Sequence, residues 1–306
     1  MEKNQSLALK LALVTVFLWS TVATAFKLAL TTATPMQVVI VSSFTSLFAL
    51  IAIYCYQRSN DNTSLLSYFR HSPIRYLIVG NINPVLYYWV LFAAYDKLPA
   101  QMAQSINYTW AIVLSLLAVP FLKQRFSKAD MLGLTLCYLG VFTVVTRLDF
   151  SSLDNVDLNG VLLALLSTII WAGYWLVNTQ ISAPPVTALL ICFLCAMPSL
   201  SVLTIVNANS FAMSLTSLSA AIYIGLFEMS LAFVFWLSAM RKAHSTAQIS
   251  MLIYISPFVS LIFIYFVLEE PIYPTTLIGL SIICLGLILQ KQFTKIRNRK
   301  ALNAES

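Results

Sequence analysis

The chain has 306 residues, of which 59% are apolar and 9% charged, with a mean hydropathy of +0.84 and a formal charge of +7. Soluble domains carry about 25% charged residues, so this composition excludes a water-facing surface and with it a soluble globular protein. Nucleic-acid binding needs basic residues gathered on one face; here Lys and Arg stand between apolar runs, where they read as topology signals rather than as a nucleic-acid surface.

A helix crosses the hydrocarbon core with about 20 residues. Apolar stretches of that length are expected at about 7–30, 35–56, 74–95, 100–122, 128–147, 158–180, 185–207, 215–240, 245–268 and 272–293. The first follows Lys3 and Lys10 and holds Ala23-Thr24-Ala25, the outline of a secretory signal. The same segment returns in mid-chain, where no signal peptide can stand, so it is read as an uncleaved span. It carries Trp19 and, in its last third, Lys27. Three roles are open to Lys27: a counter-charge for a substrate carboxylate, a partner for the acid of the eighth stretch, or a side chain that reaches the headgroups.

The second stretch opens at Pro35, a position that a first helical turn tolerates. The connection after it holds Leu65-Leu66-Ser67-Tyr68-Phe69-Arg70, which reads as a short stretch lying at the interface. In the third, Asn83-Pro84 breaks the helix, either freeing backbone carbonyls for a ligand or kinking it for packing, with Tyr87 and Tyr88 following. The fourth carries Asn107, Tyr108 and Trp110, and the sixth Trp175 and Asn178. Polar groups at such depth need another helix or a ligand. Gly133 and Gly140 in the fifth stretch, like Gly279 and Gly286 in the tenth, lie seven apart on one face and suit close helix packing. Cys192-x-x-Cys195 in the seventh has a redox or zinc spacing but no further ligands nearby, so all five cysteines read as small apolar side chains.

Glu228 in the eighth stretch is the carboxylate placed within a span. Facing lipid it would be expensive, so it should face the bundle interior or a wet cavity. It serves there as a substrate-amine or proton site, or as a protonated carboxyl that locks helices together. Trp236 shares its span. In the ninth, Tyr254 precedes Pro257, which should kink the helix.

Basic residues favour the cytoplasmic side of a span. With ten spans, Lys3, Lys10, Arg58, Arg70, Arg75, Lys123, Arg125, Lys128, Arg241, Lys242, Lys291, Lys295, Arg297, Arg299 and Lys300 share one side, and Lys97 and Arg147 the other. Both termini are therefore expected in the cytoplasm. A shift of 146 residues lays Gly133 and Gly140 on Gly279 and Gly286, Tyr108 on Tyr254, and Gln124 on Glu270. Slightly different shifts pair Gly80 with Gly225, Trp19 with Trp171, and Pro35 with Pro185. The expected fold is an all-α polytopic membrane protein, its ten helices forming two five-helix repeats. Five being odd, the repeats are inverted, an arrangement common among secondary transporters. The divisions are 1–147 and 158–293 for the repeats, 148–157 for an outer loop and 294–306 for a basic tail.

Phe17-Leu18-Trp19-Ser20-Thr21, Asn107-Tyr108-Thr109-Trp110, Phe235-Trp236-Leu237-Ser238-Ala239-Met240, Tyr254-Ile255-Ser256-Pro257 and Leu268-Glu269-Glu270-Pro271, with Gly279 and Gly286, resemble the EamA-type branch of the drug/metabolite transporter superfamily. The resemblance covers nearly the whole chain and implies ten spans in two repeats. It also implies export of amino acids, aromatic ones included, or of other metabolites. Two features depart from the family pattern: Ala111 and Gln124 stand where the family often has Pro and Glu, whereas the second half keeps Pro257 and Glu270.

The expected activity is secondary transport of a small organic metabolite, an amino acid in the leading reading, across a bacterial inner membrane by alternating access. Uptake or facilitated diffusion is the alternative within transport. A lipid-modifying enzyme is the alternative from another class, and it would need a polar cluster at one membrane face. No Walker A pattern, metal-ligand set or nucleophile constellation is present, and His71 and His244 fall in loops. Neither cofactor nor catalytic residue is expected; the partners are substrate, lipid bilayer and, through Glu228, protons. The binding candidates are Glu228, Asn83, Lys27, Trp19, Tyr87, Asn107, Tyr108, Trp110, Trp175, Asn178 and Tyr254.

Overall fold

The computed structural model describes residues 3–57, 64–122, 127–149, 151, 154, 156–206 and 212–305, with side chains described through 293, Ala247 excepted. Gln124, Arg58, Lys123, Arg125 and the side chains of Lys295, Arg297, Arg299 and Lys300 lie outside the described residues. The described chain is all helical, with no strand. Ten helices are long and apolar enough to cross a membrane: α1 (Gln5–Ala29), α2 (Pro35–Gln57), α3 (Pro73–Lys97), α4 (Ala100–Leu122), α5 (Lys128–Thr146), α6 (Leu158–Asn178), α7 (Pro185–Val206), α8 (Leu215–Lys242), α9 (Gln248–Leu268) and α10 (Pro274–Phe293). Their outer surface exposes Phe48, Phe121, Ile205 and Phe266, side chains that water would not tolerate in such density but lipid covers. The connection before α3 forms a short helix, Leu65–His71, and the helix of α10 runs on to Glu305.

Proline places several helix starts. Pro35, Pro73, Pro185 and Pro274 each occupy a first turn, where the missing N–H has no intrahelical partner to lose. Ser127 and Asp130 close a reciprocal capping box at the start of α5. Asp157 caps α6 through Gly160 N–H and pairs with Lys97 at 3.0 Å. The Lys97 ammonium, followed by the capping N–H groups, holds its carboxyl below the usual carboxylate range.

The contacts sort the connections onto two faces. At the terminal face, Asn4 N–H donates to Lys242 O at 2.8 Å, and His244 N–H to Gln5 Oε1 at 2.8 Å. At the far face, Thr31 and Thr32 bond to Ser217, both at 2.9 Å.

The halves exchange helices around a two-fold relation. A Cβ on Gly225 of α8 would lie 2.4 Å from Ser42 O of α2, and one on Gly80 of α3 would lie 2.3 Å from Cys192 O of α7. Gly80 and Gly225 are equivalent by the repeat, and so are Ser42 and Cys192, which share the offset of Pro35 and Pro185. Each half thus lays its third helix on the second helix of the other. The fifth helices, α5 and α10, close the arrangement through Gly140 against Gly279 and Gly133 against Gly286.

Four helices are interrupted, again in equivalent pairs. In α3, residues 81–86 form widened turns, and Asn83 leaves helical geometry at φ −132° and ψ 113°. The ring of Pro84 pushes the preceding residue toward extended backbone and removes one helical N–H. Helix α8 has no proline, yet Ile224–Ala232 widens in the same way. There the Ser230 hydroxyl bonds to the carbonyls of Gly225 (2.9 Å) and Leu226 (2.6 Å), inserting a side chain into the backbone ladder. Helix α4 breaks at Tyr108 and Thr109, despite Ala111 standing where a proline was the family pattern, and Thr109 Oγ1 bonds back to Ile106 O at 2.8 Å. In α9 a 3-10 stretch, Leu252–Ile255, precedes renewed α-helix at Ser256. The break lies before Pro257 rather than at it, because a proline ring conflicts with the carbonyl four residues earlier, here Ile253.

Candidate functional site

The interrupted helices surround a cavity of about 430 Å³. Its wall takes Trp19 and Phe26 from α1, Tyr87 and Tyr95 from α3, and Gln104, Asn107, Tyr108 and Trp110 from α4. Helix α6 adds Trp171 and Trp175, α8 adds Glu228, Phe233 and Trp236, α9 adds Tyr254, and α10 adds Gln290 and Lys291. The lining runs from Phe26 and Tyr95, toward the far face, to Met240, Ser250 and Lys291 at the terminal face.

Glu228 sits on the widened turn of α8. The Tyr88 hydroxyl donates to its Oε1 at 3.1 Å. The Trp19 indole lies within interacting reach of the carboxyl, and Oε2 is buried with no hydrogen-bond partner. A carboxylate accepts at about four lone-pair positions, and a buried one with unfilled positions is costly. The site therefore has capacity for a proton or for a donor on a ligand.

Aromatic rings line the wall beside this carboxyl. Tyr87 stacks on Trp171 at 4.3 Å and 25°, and Trp171 stacks on Tyr174 at 4.8 Å and 15°. Trp110 and Trp175 are near parallel, 18° apart, and each stands nearly perpendicular to Trp171, at 83° and 86°. Trp19 meets Trp236 at 5.3 Å and Phe233 at 6.0 Å, and Phe233 meets Trp171 at 6.0 Å, so the rings form one connected array. Such rings offer flat apolar faces and negative π-surfaces to a ligand. Asn107 is oriented by the Ser167 hydroxyl, which its Nδ2 reaches at 3.0 Å, and lies 3.5 Å from the Tyr87 hydroxyl. Tyr108 lies within hydrogen-bonding reach of Ser256 and Gln104.

Of the candidates named from sequence, Glu228, Trp19, Tyr87, Asn107, Tyr108, Trp110, Trp175 and Tyr254 come together on this wall. Three do not. Lys27 is turned away from Glu228, and its ammonium donates to the last carbonyls of α3, Tyr95 O at 2.9 Å, and to Leu98 O at 3.1 Å. A cation there satisfies helix-end carbonyls and complements the helix dipole. Asn83 is 3% exposed and lies against Tyr174, behind the stacked rings. Asn178 ends α6 away from the cavity. Trp171, Phe233, Gln104, Gln290 and Lys291 line the wall without having been named as candidates. For Trp171 the signal was its repeat relation to Trp19, and for Lys291 its position at the end of an apolar stretch.

Both ends of the cavity are built from polar contacts between helices. At the far face, both oxygens of Glu270 lie 3.0 Å from Ala100 N–H, at the start of α4. Gln101 Nε2 donates to Pro271 O at 2.9 Å and Thr276 Oγ1 to Gln101 Oε1 at 2.6 Å. With Lys27 they tie the turn between α3 and α4 to α1 and α10. At the terminal face Gln290 Nε2 reaches Ser115 Oγ at 2.9 Å and Asp130 Oδ1 at 2.8 Å, and the Lys291 ammonium donates to the Ser250 hydroxyl. Among the described residues no three His, Cys, Asp or Glu side chains converge as a metal site.

The profile of the EamA-like transporter family matches residues 6–146 and again 158–290. One solved crystal structure is similar over 95% of this chain and 99% of its own, at 16% sequence identity and a TM-score of 0.64. Likeness at that identity speaks for a shared fold alone. No curated protein matches by sequence.

Proposed function

Because this chain belongs to the EamA-like transporter family, we propose that it exports a small organic metabolite, an amino acid with aromatic ones in its range, from a bacterial cytoplasm by alternating access. One observation carries the reading: Glu228, with an unfilled acceptor, stands on a broken helix in an aromatic-lined cavity of about 430 Å³. The carboxylate receives the substrate ammonium, the rings receive its side chain, and proton exchange at Glu228 couples the cycle. Discontinuous helices near the midplane provide such sites in secondary transporters. The terminal face is the cytoplasmic one in this reading, so the cavity reaches the side from which an exporter loads. The ties at Glu270, Gln101 and Lys27 are then the outer closure that must part for release. Two inverted repeats, 1–147 and 158–293, supply the rocking bodies.

Two measurements test this. Purified protein in sealed vesicles should move at least one radiolabelled amino acid from a twenty-member panel, and an outwardly directed proton-coupled flux should collapse when the pH gradient is dissipated. Absence of amino-acid flux, in vesicles where the protein is shown to be folded, overturns the substrate reading. Reporter fusions after Lys300 and in 59–71 should read as cytoplasmic, and fusions at Asp154 as external. A C-terminus on the external side would reverse the orientation and with it the loading side.

A further inference from the structure

We propose that Lys291 receives the carboxylate of the substrate, which makes the cavity a two-ended site selective for zwitterions over amines. The inference rests on the amino-acid reading of Glu228 and adds the second charge that reading lacks. Lys27, the cation suggested by sequence, is held by the carbonyls of Tyr95 and Leu98. Among the described residues the charged side chains along the cavity wall are Glu228 and Lys291, one of each sign. Every other lining group is apolar, aromatic or neutral and polar.

The two charges stand at different depths. At about 1.5 Å per residue, Glu228 lies roughly 20 Å from the start of α8 at Leu215, and Lys291 roughly 26 Å from the start of α10 at Pro274. Both helices start at the far face, so Lys291 is the group nearer the terminal face. A small zwitterion would make one charge-assisted hydrogen bond at each end, about 2.8 Å apiece. Its side chain would then lie against Trp19 and Trp236 or against Trp110 and Trp175.

The surroundings of Lys291 are built rather than incidental. Its ammonium crosses from α10 to the Ser250 hydroxyl on α9 instead of turning to headgroups, and Ser250 also lines the cavity. An ammonium carries three donors, so exchange of one contact onto a carboxylate leaves the others in place. The neighbouring acid, Asp130, is not part of the cavity wall. It is engaged by Ser127 N–H at 2.8 Å, by the Ser127 hydroxyl and by Gln290 Nε2 at 2.8 Å.

The test compares ligands that differ only at the carboxylate. Phenylalanine, tryptophan and leucine are measured against their primary amides on the full-length protein, by competition in a thermal-shift assay and by vesicle flux. Lys291→Gln should weaken binding of the amino acids tenfold or more and leave the amides within twofold of wild type, whereas Lys291→Arg should keep the preference for the free acid. Glu228→Gln should weaken acids and amides alike. The proposal is overturned if Lys291→Gln leaves amino-acid binding unchanged, or if it weakens acids and amides equally. Wild-type protein that binds the amides as tightly as the acids also overturns it, with the Glu228 reading left standing. Wild-type protein that binds neither series removes both.

Discussion

Glu228→Gln is expected to abolish the pH response of transport and to lower flux of an amino acid to near background, while the protein stays folded in the membrane. The substitution preserves size and keeps an oxygen that accepts from the Tyr88 hydroxyl, now at 3.1 Å from Oε1. What it removes is the charge and the exchangeable proton. A hydrogen bond to a charged group contributes about 1.5–3 kcal/mol, so loss of the ammonium contact alone predicts roughly a 10- to 100-fold drop in affinity. Loss of the proton site then uncouples whatever flux persists. Thermal stability should change little, because the amide keeps the size of the side chain and the oxygen to which Tyr88 donates. The measurement is flux into sealed vesicles across a pH series, together with the melting temperature of the purified variant. Wild-type, pH-responsive flux in Glu228→Gln would make Glu228 a structural group. A melting point lowered by many degrees would also point to helix locking rather than to transport.

Much of this was legible in the chain, and what was missed follows a physical pattern. Length and apolarity located ten helices to within a few residues, because a bilayer imposes one length on every span. Glu228 stood out since a lone acid in an apolar helix has few destinations. The break at Asn83-Pro84 was also visible, as proline chemistry is local. The side-chain consequence was not: the same backbone break that exposes carbonyls turned Asn83 toward Tyr174. Lys27 misled because its partners, Tyr95 O and Leu98 O, are backbone atoms that no pattern of residue types reveals. Lys291 looked like one more cation at a helix end. Only the reach of its ammonium across to Ser250 of α9 makes it part of the cavity. The widened turn in α8 was hidden for a similar reason, since Ser230 is an ordinary residue until its hydroxyl takes the carbonyls of Gly225 and Leu226.

The second large effect is expected at the seam between α5 and α10. Gly140→Ala and Gly279→Ala should each destabilise the protein, although alanine is the better helix former by about 1 kcal/mol. A Cβ on Gly140 would lie 2.4 Å from Gly279 O and 2.6 Å from Ile283 Cγ1. One on Gly279 would lie 2.6 Å from Gly140 O and from Val144 Cγ2. The nearest obstacle in both cases is backbone, which cannot rotate away as a side chain can, so the helices must separate. Overpacking a filled interior costs about 1–3 kcal/mol, enough to outweigh the gain in propensity. Separation also loosens the Gly133–Gly286 approach and the Cys137–Ile283 O contact on the same seam. The double variant should cost less than the sum of the two, because one displacement relieves both clashes. Gly173→Ala is the control. It lies in α6 with nothing within 4 Å of an added Cβ, so it should show the propensity gain alone, with an unchanged or higher melting temperature. Melting in detergent and the recovery of monodisperse protein read all four variants. If Gly140→Ala melts at or above wild type while Gly173→Ala behaves as stated, the close seam is not what holds the two halves together.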